Sequence, residues 1–183
     1  MLVVLGIIGI VAAIAMPATT QTLADLRLRG DARSVHNMVG LAKMRAASRF
    51  SRSRVYVDLT TNSFHLEHWD KGASTWVAEG GSTTLSDGVE FGFGDVTSPP
   101  PSTQTTLGQS PLCKTDDGDD IAGTACIVFN SRGIPVNDTG NPTGNSAFYL
   151  TDNVVATYAV TLSATPLIRL WWTPATATKW VHR

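Results

Sequence analysis

Residues 1–17 read MLVVLGIIGIVAAIAMP, and the run through Met16 carries no charged side chain. As a helix, that run rises about 24 Å, short of a hydrocarbon core of roughly 30 Å. Three explanations compete. A cleavable signal peptide needs Lys or Arg ahead of the apolar run, and none precedes this one, although Ala13-Ile14-Ala15 passes for a cleavage motif. A buried core helix would be apolar along one face, whereas Val, Ile and Leu here cover every face. An N-terminal membrane anchor that continues into a soluble helix fits best, because the pattern after Pro17 stays helical. Gly6 and Gly9, spaced i and i+3, permit close helix approach in such an anchor. Pro17 removes one backbone hydrogen bond, and either bends the helix or merely punctuates it.

Working outward, the stem runs from Thr19 to about Phe50. Leu28, Ala32, Val35, Val39, Ala42, Ala46 and Phe50 fall at steps of four and three, one continuous apolar stripe. Arg27, Arg33, Lys43, Arg45 and Arg49 lie largely off it. Gly30 and Gly40 each cost roughly 1 kcal/mol against Ala in a helix interior. The stripe must therefore gain its stability by packing, and the strands that follow are the expected partner.

The stretch MLVVLGIIGIVAAIAMP resembles the start of type IV pilins and type II secretion pseudopilins, with Pro17 matching the family proline. The resemblance implies a leader ending in Gly and a Phe-Thr-Leu-Ile-Glu stretch directly before Met1, including the N-methylated residue. The expectation is therefore a start assigned at an internal Met, or a truncated piece. Leu41-Ala-Lys-Met-Arg-Ala-Ala-Ser-Arg-Phe, followed by Arg54-Val-Tyr-Val, resembles the GspH/FimT subgroup, in which an Ala- and Arg-rich helix runs into the first strand. Over the rest of the chain the likeness is loose, resting on Val128-Phe-Asn-Ser-Arg-Gly133 and the closing strands. What the resemblance implies is a filament subunit with an anchor half of the helix at 1–17, a stem helix at 18–52 and a β-rich head at 53–183. It implies single-pass residence in the bacterial inner membrane with the head in the periplasm, then assembly with other pilins or pseudopilins through the N-terminal helix. A GspH-like minor pseudopilin of a type II secretion system is the leading expectation. The alternatives are a FimT-like minor pilin of a type IV pilus and a secreted binding domain behind a signal peptide.

Composition agrees with one domain plus an appendage: 183 residues, 16% of them charged. Residues 1–54 hold eight Lys or Arg against two Asp, a net +6. Residues 55–183 hold six against thirteen acids, a net −7. A basic stem and an acidic head imply different neighbours. Two cysteines, Cys113 and Cys126, cannot make a zinc site alone. A disulfide suits a head outside the cytoplasm, and two buried thiols are the alternative.

The head reads as short strands between turns. Arg54–Thr60 and Ser63–Trp69 form a hairpin through Thr61-Asn62, with further strands at Thr75–Glu79, Gly88–Gly94, Ala125–Asn130, Phe148–Leu150, Ala156–Leu162 and Leu167–Trp172. Ser98-Pro-Pro-Pro-Ser opens an exposed loop through Ser110, and 137–145 is another loop. A long helix followed by antiparallel strands in one sheet gives an α+β, pilin-like class.

Little in the chain points to catalysis or to a cofactor: no P-loop, nucleophile elbow or dinucleotide fingerprint appears. His65 and His68 have metal-like spacing, but on a strand they face opposite sides. Asp116, Asp117, Asp119 and Asp120 surround Gly118 and are weak calcium candidates, against the reading of a solvated acidic turn. Arg45, Arg49, Arg52 and Arg54 invite a nucleic-acid reading, against that of a solvated helix face near anionic lipid. Trp171, Trp172 and Trp180, with Arg169, Lys179 and Arg183, could stack on single-stranded DNA. The acidic head opposes that, and sheet packing is favoured.

Overall fold

In the computed structural model, residues 2–175 and 179–183 are described, with side chains from residue 21 onward. The described residues form one helix, α1 (Leu2–Ser48), and antiparallel strands, an α+β arrangement. The strands are β1 (Ser53–Asp58), β2 (Ser63–Asp70), β3 (Thr75–Thr84), β4 (Cys113–Lys114), β5 (Asp120–Ile121), β6 (Thr124–Phe129), β7 (Pro135–Val136), β8 (Ser146–Thr151), β9 (Ala156–Leu162), β10 (Ile168–Pro174) and β11 (Val181–His182). They form two sheets and a ribbon, not the one sheet expected. The orders are β3-β2-β1-β6-β7 and β11-β10-β9-β8, with β4-β5 apart.

The stem packs against β1, β2 and β6 of one sheet and against β8, β9 and β10 of the other. Leu28, Ala32, Val35, Val39, Ala42 and Ala46 are fully buried there. Each Val or Leu so buried is worth about 1.5–3 kcal/mol. The alanines keep the helix close to the sheets. Gly30 and Gly40 lie off this face, with open space where a Cβ would go. Polar ties fix the stem's register: Asp31 accepts the Ser86 N–H at 2.8 Å, and Lys43 Nζ donates to Pro166 O at 3.2 Å.

Phe50 departs from the stripe. It has φ 50° and is 74% exposed. Ser51 N–H reaches Ala46 O at 3.2 Å and Phe50 N–H reaches Ala47 O at 3.3 Å. These two bonds are the paired hydrogen bonds of a left-handed helix stop. The stripe therefore ends at Ala46, because closing the last turn swings residue 50 outward.

The expected hairpin is present, with Val55 opposite Leu66 and Tyr56 opposite His65. Asp58 closes its turn, accepting the Thr60 hydroxyl and the Thr60 and Thr61 N–H groups. Those bonds, the Thr60 hydroxyl first, hold its carboxyl down at about 2. Gly88–Gly94 is not a strand. It makes an isolated bridge, Glu90 to Thr151, along the β8 edge. Two of its glycines break the extended run, Gly88 at φ 82° and Gly94 at φ 55°. At Gly94 a Cβ would also meet Thr151 Oγ1 at 2.9 Å. This segment covers the outer face of the four-stranded sheet. Phe93, Val96 and Leu107 pack there on Ala147, Tyr149, Ala159, Trp171 and Trp180 as a second core. The cover explains why β8 and β9 are buried along their whole lengths.

Among the described residues no helix is long and apolar enough to cross a membrane. The expected anchor, 1–17, and its packing positions Gly6, Gly9 and Pro17 lie outside the described side chains. A left-handed residue other than glycine costs about 1–2 kcal/mol, part of which glycine gives back through its freer unfolded state. Phe50→Gly should therefore raise stability by up to about 1 kcal/mol in chemical denaturation. Phe50→Val should lower it.

Candidate functional site

The face of the five-stranded sheet turned away from α1 carries a cleft of about 570 Å³. Strand parity builds it. Val55 and Val57 point to the helix, so Arg54 and Tyr56 point away, opposite Glu67 and His65 on β2. Cys126 faces Tyr56 from β6. The strip continues to Trp69 and Trp76, directly opposite one another in the β2–β3 pair, rings edge to face at 5.3 Å.

Arg54 is the centre of this face. It is 3% exposed. Its Nε ion-pairs with Glu67 Oε2, its Nη1 donates to Lys114 O at 2.6 Å, and its guanidinium carbon lies 4.0 Å from the Trp76 ring centre. Burial lowers Arg54 from its ordinary value, against the opposing charge of Glu67. Burial alone would raise Glu67, but the His65 hydrogen bond at 3.1 Å and the Arg54 charge outweigh it and leave the carboxyl below its usual range. His65 also stacks on Tyr56 at 4.9 Å. Arg52 lies over Trp69 at 4.5 Å.

His68 is on the other face, as strand alternation requires. There Arg45 Nε meets Glu79 Oε1 at 2.8 Å, Arg49 Nη2 stands 3.3 Å from Oε2, and Arg49 Nη1 is 3.4 Å from His68 Nε2. The run Arg45, Arg49, Arg52, Arg54 is thus not a plain solvated face. Each member is bound to the head, the first two on one side of the sheet and the last two on the other.

The far wall of the cleft is the segment closed by the Cys113–Cys126 disulfide. Asp116 Oδ1 accepts the Trp76 N–H at 2.8 Å, and Lys114 Nζ pairs with Asp120 at 2.8 Å. Asp117 and Asp120 line the cleft, while Asp119 donates its N–H to Thr115 Oγ1. Among the described residues no three His, Cys, Asp or Glu side chains gather as a metal-holding group.

Two of the C-terminal aromatics are hydrogen-bonded into the head. Trp171 Nε1 donates to Thr161 Oγ1 at 2.9 Å and Trp180 Nε1 to Ser98 O at 2.8 Å. Arg183 lies over Trp172 at 4.9 Å. Of the expected cations, Arg183 lines a concave surface together with Arg29 and Arg33 of the stem. Sequence reading noted Glu67 only between His65 and His68, not as the partner of Arg54, and did not single out Glu79, Trp69 or Trp76. The two tryptophans had a legible signal, since they end one expected strand and begin the next.

Removing one partner of a buried ion pair costs about 3–5 kcal/mol. Arg54→Met should destabilise by about 3 kcal/mol, and adding Glu67→Gln should recover much of it, a non-additivity that a denaturation double-mutant cycle measures. Converting both cysteines to Ser should cost about 3 kcal/mol in the chain-entropy account of so short a loop, read as a lower unfolding midpoint.

No protein-family model matches the chain, and no curated protein matches it. Among solved structures, it is similar to the minor pseudopilin EpsH from the Type 2 Secretion System of Vibrio cholerae. That likeness has 15% sequence identity and a TM-score of 0.47, over 79% of this chain and 95% of that one.

Proposed function

We propose that this chain is a non-catalytic minor pseudopilin of a type II secretion pseudopilus. In this reading residues 1–17 are the anchor half of one long helix, 18–52 the stem and 53–183 the head. The observation that carries it is the stem stripe. An uncharged apolar segment leads into a helix whose stripe residues, from Leu28 to Ala46 at steps of three and four, are buried against both sheets. A rod fixed to its head in this way transmits axial force as a unit, which a flexible tether does not. Gly6, Gly9 and Pro17 are then the close-approach and bending positions where sister anchors bundle. The Cys113–Cys126 disulfide suits a head in an oxidising periplasm. The head's buried charges are paired internally, as expected of a part that holds shape instead of turning over a substrate.

The test is complementation in a host strain lacking the chain, with export of folded proteins and membrane fractionation as readouts. The anchored chain should appear in the inner-membrane fraction and restore export. A version with 1–17 replaced by a cleavable signal peptide should reach the periplasm and restore nothing. Equal restoration by that version overturns the reading. Loss of pilus motility or DNA uptake, with export intact, would assign the chain to a type IV pilus as a FimT-like subunit.

A further inference from the structure

Seven of the chain's ten arginines fall into two groups. Arg45, Arg49 and Arg54 sit on Glu79 or Glu67, and Arg52 lies over Trp69. Arg29, Arg33 and Arg183 are placed differently. They line one groove of about 310 Å³ with His36, Asn37, Tyr158 and Leu170. Arg29 and Arg33 are one turn apart on α1. Arg183 arrives from the other end of the chain, its N–H bonded to Leu170 O at 3.0 Å and its guanidinium stacked on Trp172.

Among the described residues no carboxylate, that of Arg183 included, lies within 4.0 Å of any of these three guanidinium groups. Residues 1–20 and 176–178 contain no Asp or Glu. One acid acts on the groove's floor. Burial and Asp25 push the Tyr158 phenol up, while Arg183, Arg29 and Arg33 pull it down.

Three like charges around one concave surface repel each other unless an anion joins them. The three guanidinium groups outnumber Asp25 and the Arg183 carboxylate together. A phosphate group, charged about −1.5 to −2 at neutral pH, presents three acceptor oxygens, one for each fork, where a carboxylate has two. Guanidinium forks match those oxygens, and the groove adds the Tyr158 hydroxyl and the Asn37 amide as further donors.

We propose that this groove, formed where the stem meets β9, β10 and the last strand, binds a phosphate group, either free or as the headgroup of an anionic phospholipid. Bound there, the phosphate cross-links the stem to the C-terminal strand. The site does not depend on the pseudopilin reading, and failure of the export test would leave it standing.

The probe is inorganic phosphate, titrated calorimetrically into the full chain in neutral micelles, with ionic strength held by sodium chloride. Saturable binding is expected, weakened about tenfold by Arg33→Gln and by Arg183→Gln, each of which removes one charge-assisted contact from an exposed side chain. Arg132→Gln, on an exposed turn elsewhere, should leave it unchanged. A second arm adds short-chain phosphatidylglycerol or phosphatidylcholine to the same micelles. Displacement of phosphate by phosphatidylglycerol alone assigns a lipid headgroup, and no displacement by either assigns soluble phosphate. Absence of saturable binding, or equal affinity in all three variants, overturns the proposal.

Discussion

The structure depends on burying one narrow stripe. Leu28, Ala32, Val35, Val39, Ala42 and Ala46 lose all contact with solvent, and they do so against two sheets at once. Helix propensity alone would not hold the stem, since Gly30 and Gly40 weaken it and give no packing in return. What holds it is tertiary burial, reinforced by Asp31 on Ser86, Lys43 on Pro166, and Arg45 and Arg49 on Glu79. The ties run from Asp31, near the middle of the stem, to its last turn. Rotating the helix would break all of them together.

A second constraint joins the two sheets away from the helix. Residues 109–113 run between the edge of β8 and the edge of β6. The Gln109 amide grips Tyr149 at both its N–H and its carbonyl, and Ser110 N–H donates to Ala147 O at 2.8 Å. One residue on, Pro111 O accepts the Cys126 N–H at 2.8 Å, and Cys113 N–H donates to Thr124 Oγ1. The disulfide fixes the end of this seam. Two edges that would otherwise present unpaired backbone groups are thereby closed.

What was legible in the sequence was local and periodic. Steps of three and four located the buried face of the stem, and alternation located the hairpin and sent His65 and His68 to opposite sides. Phe50 fitted the same period and failed, because a helix stop is decided by backbone geometry, which hydrophobic spacing does not encode. The division into two sheets was hidden for a related reason. Strands buried on both faces look alike whether one sheet or two contain them, and the cover over β8 and β9 comes from a Gly- and Pro-rich segment read partly as a strand. Arg54 and Glu67 stand thirteen residues apart, so their pairing became visible only once the strand register was known. The cysteines were left between disulfide and thiol because spacing alone does not bring two side chains together.

The charge division between stem and head takes on a different meaning in three dimensions. Counted along the chain, residues 1–54 carry a net +6 and the rest −7. Much of that polarity is consumed inside the molecule. Arg45 and Arg49 are met by Glu79, and Arg54 by Glu67, all from the nominally acidic head. The Arg45 and Arg49 pairs join the stem's C-terminal end to β3, while the Arg54 pair lies within the hairpin. The surplus remains farther up the stem, at Arg29 and Arg33, where the fold adds Arg183 and, among the described residues, no carboxylate within ion-pairing distance. Stem and head are joined by charge at one end, while the other end keeps a basic groove open to an outside anion. Net charge per segment gave no hint of this split, because it depends on which acids the strand register brings within reach.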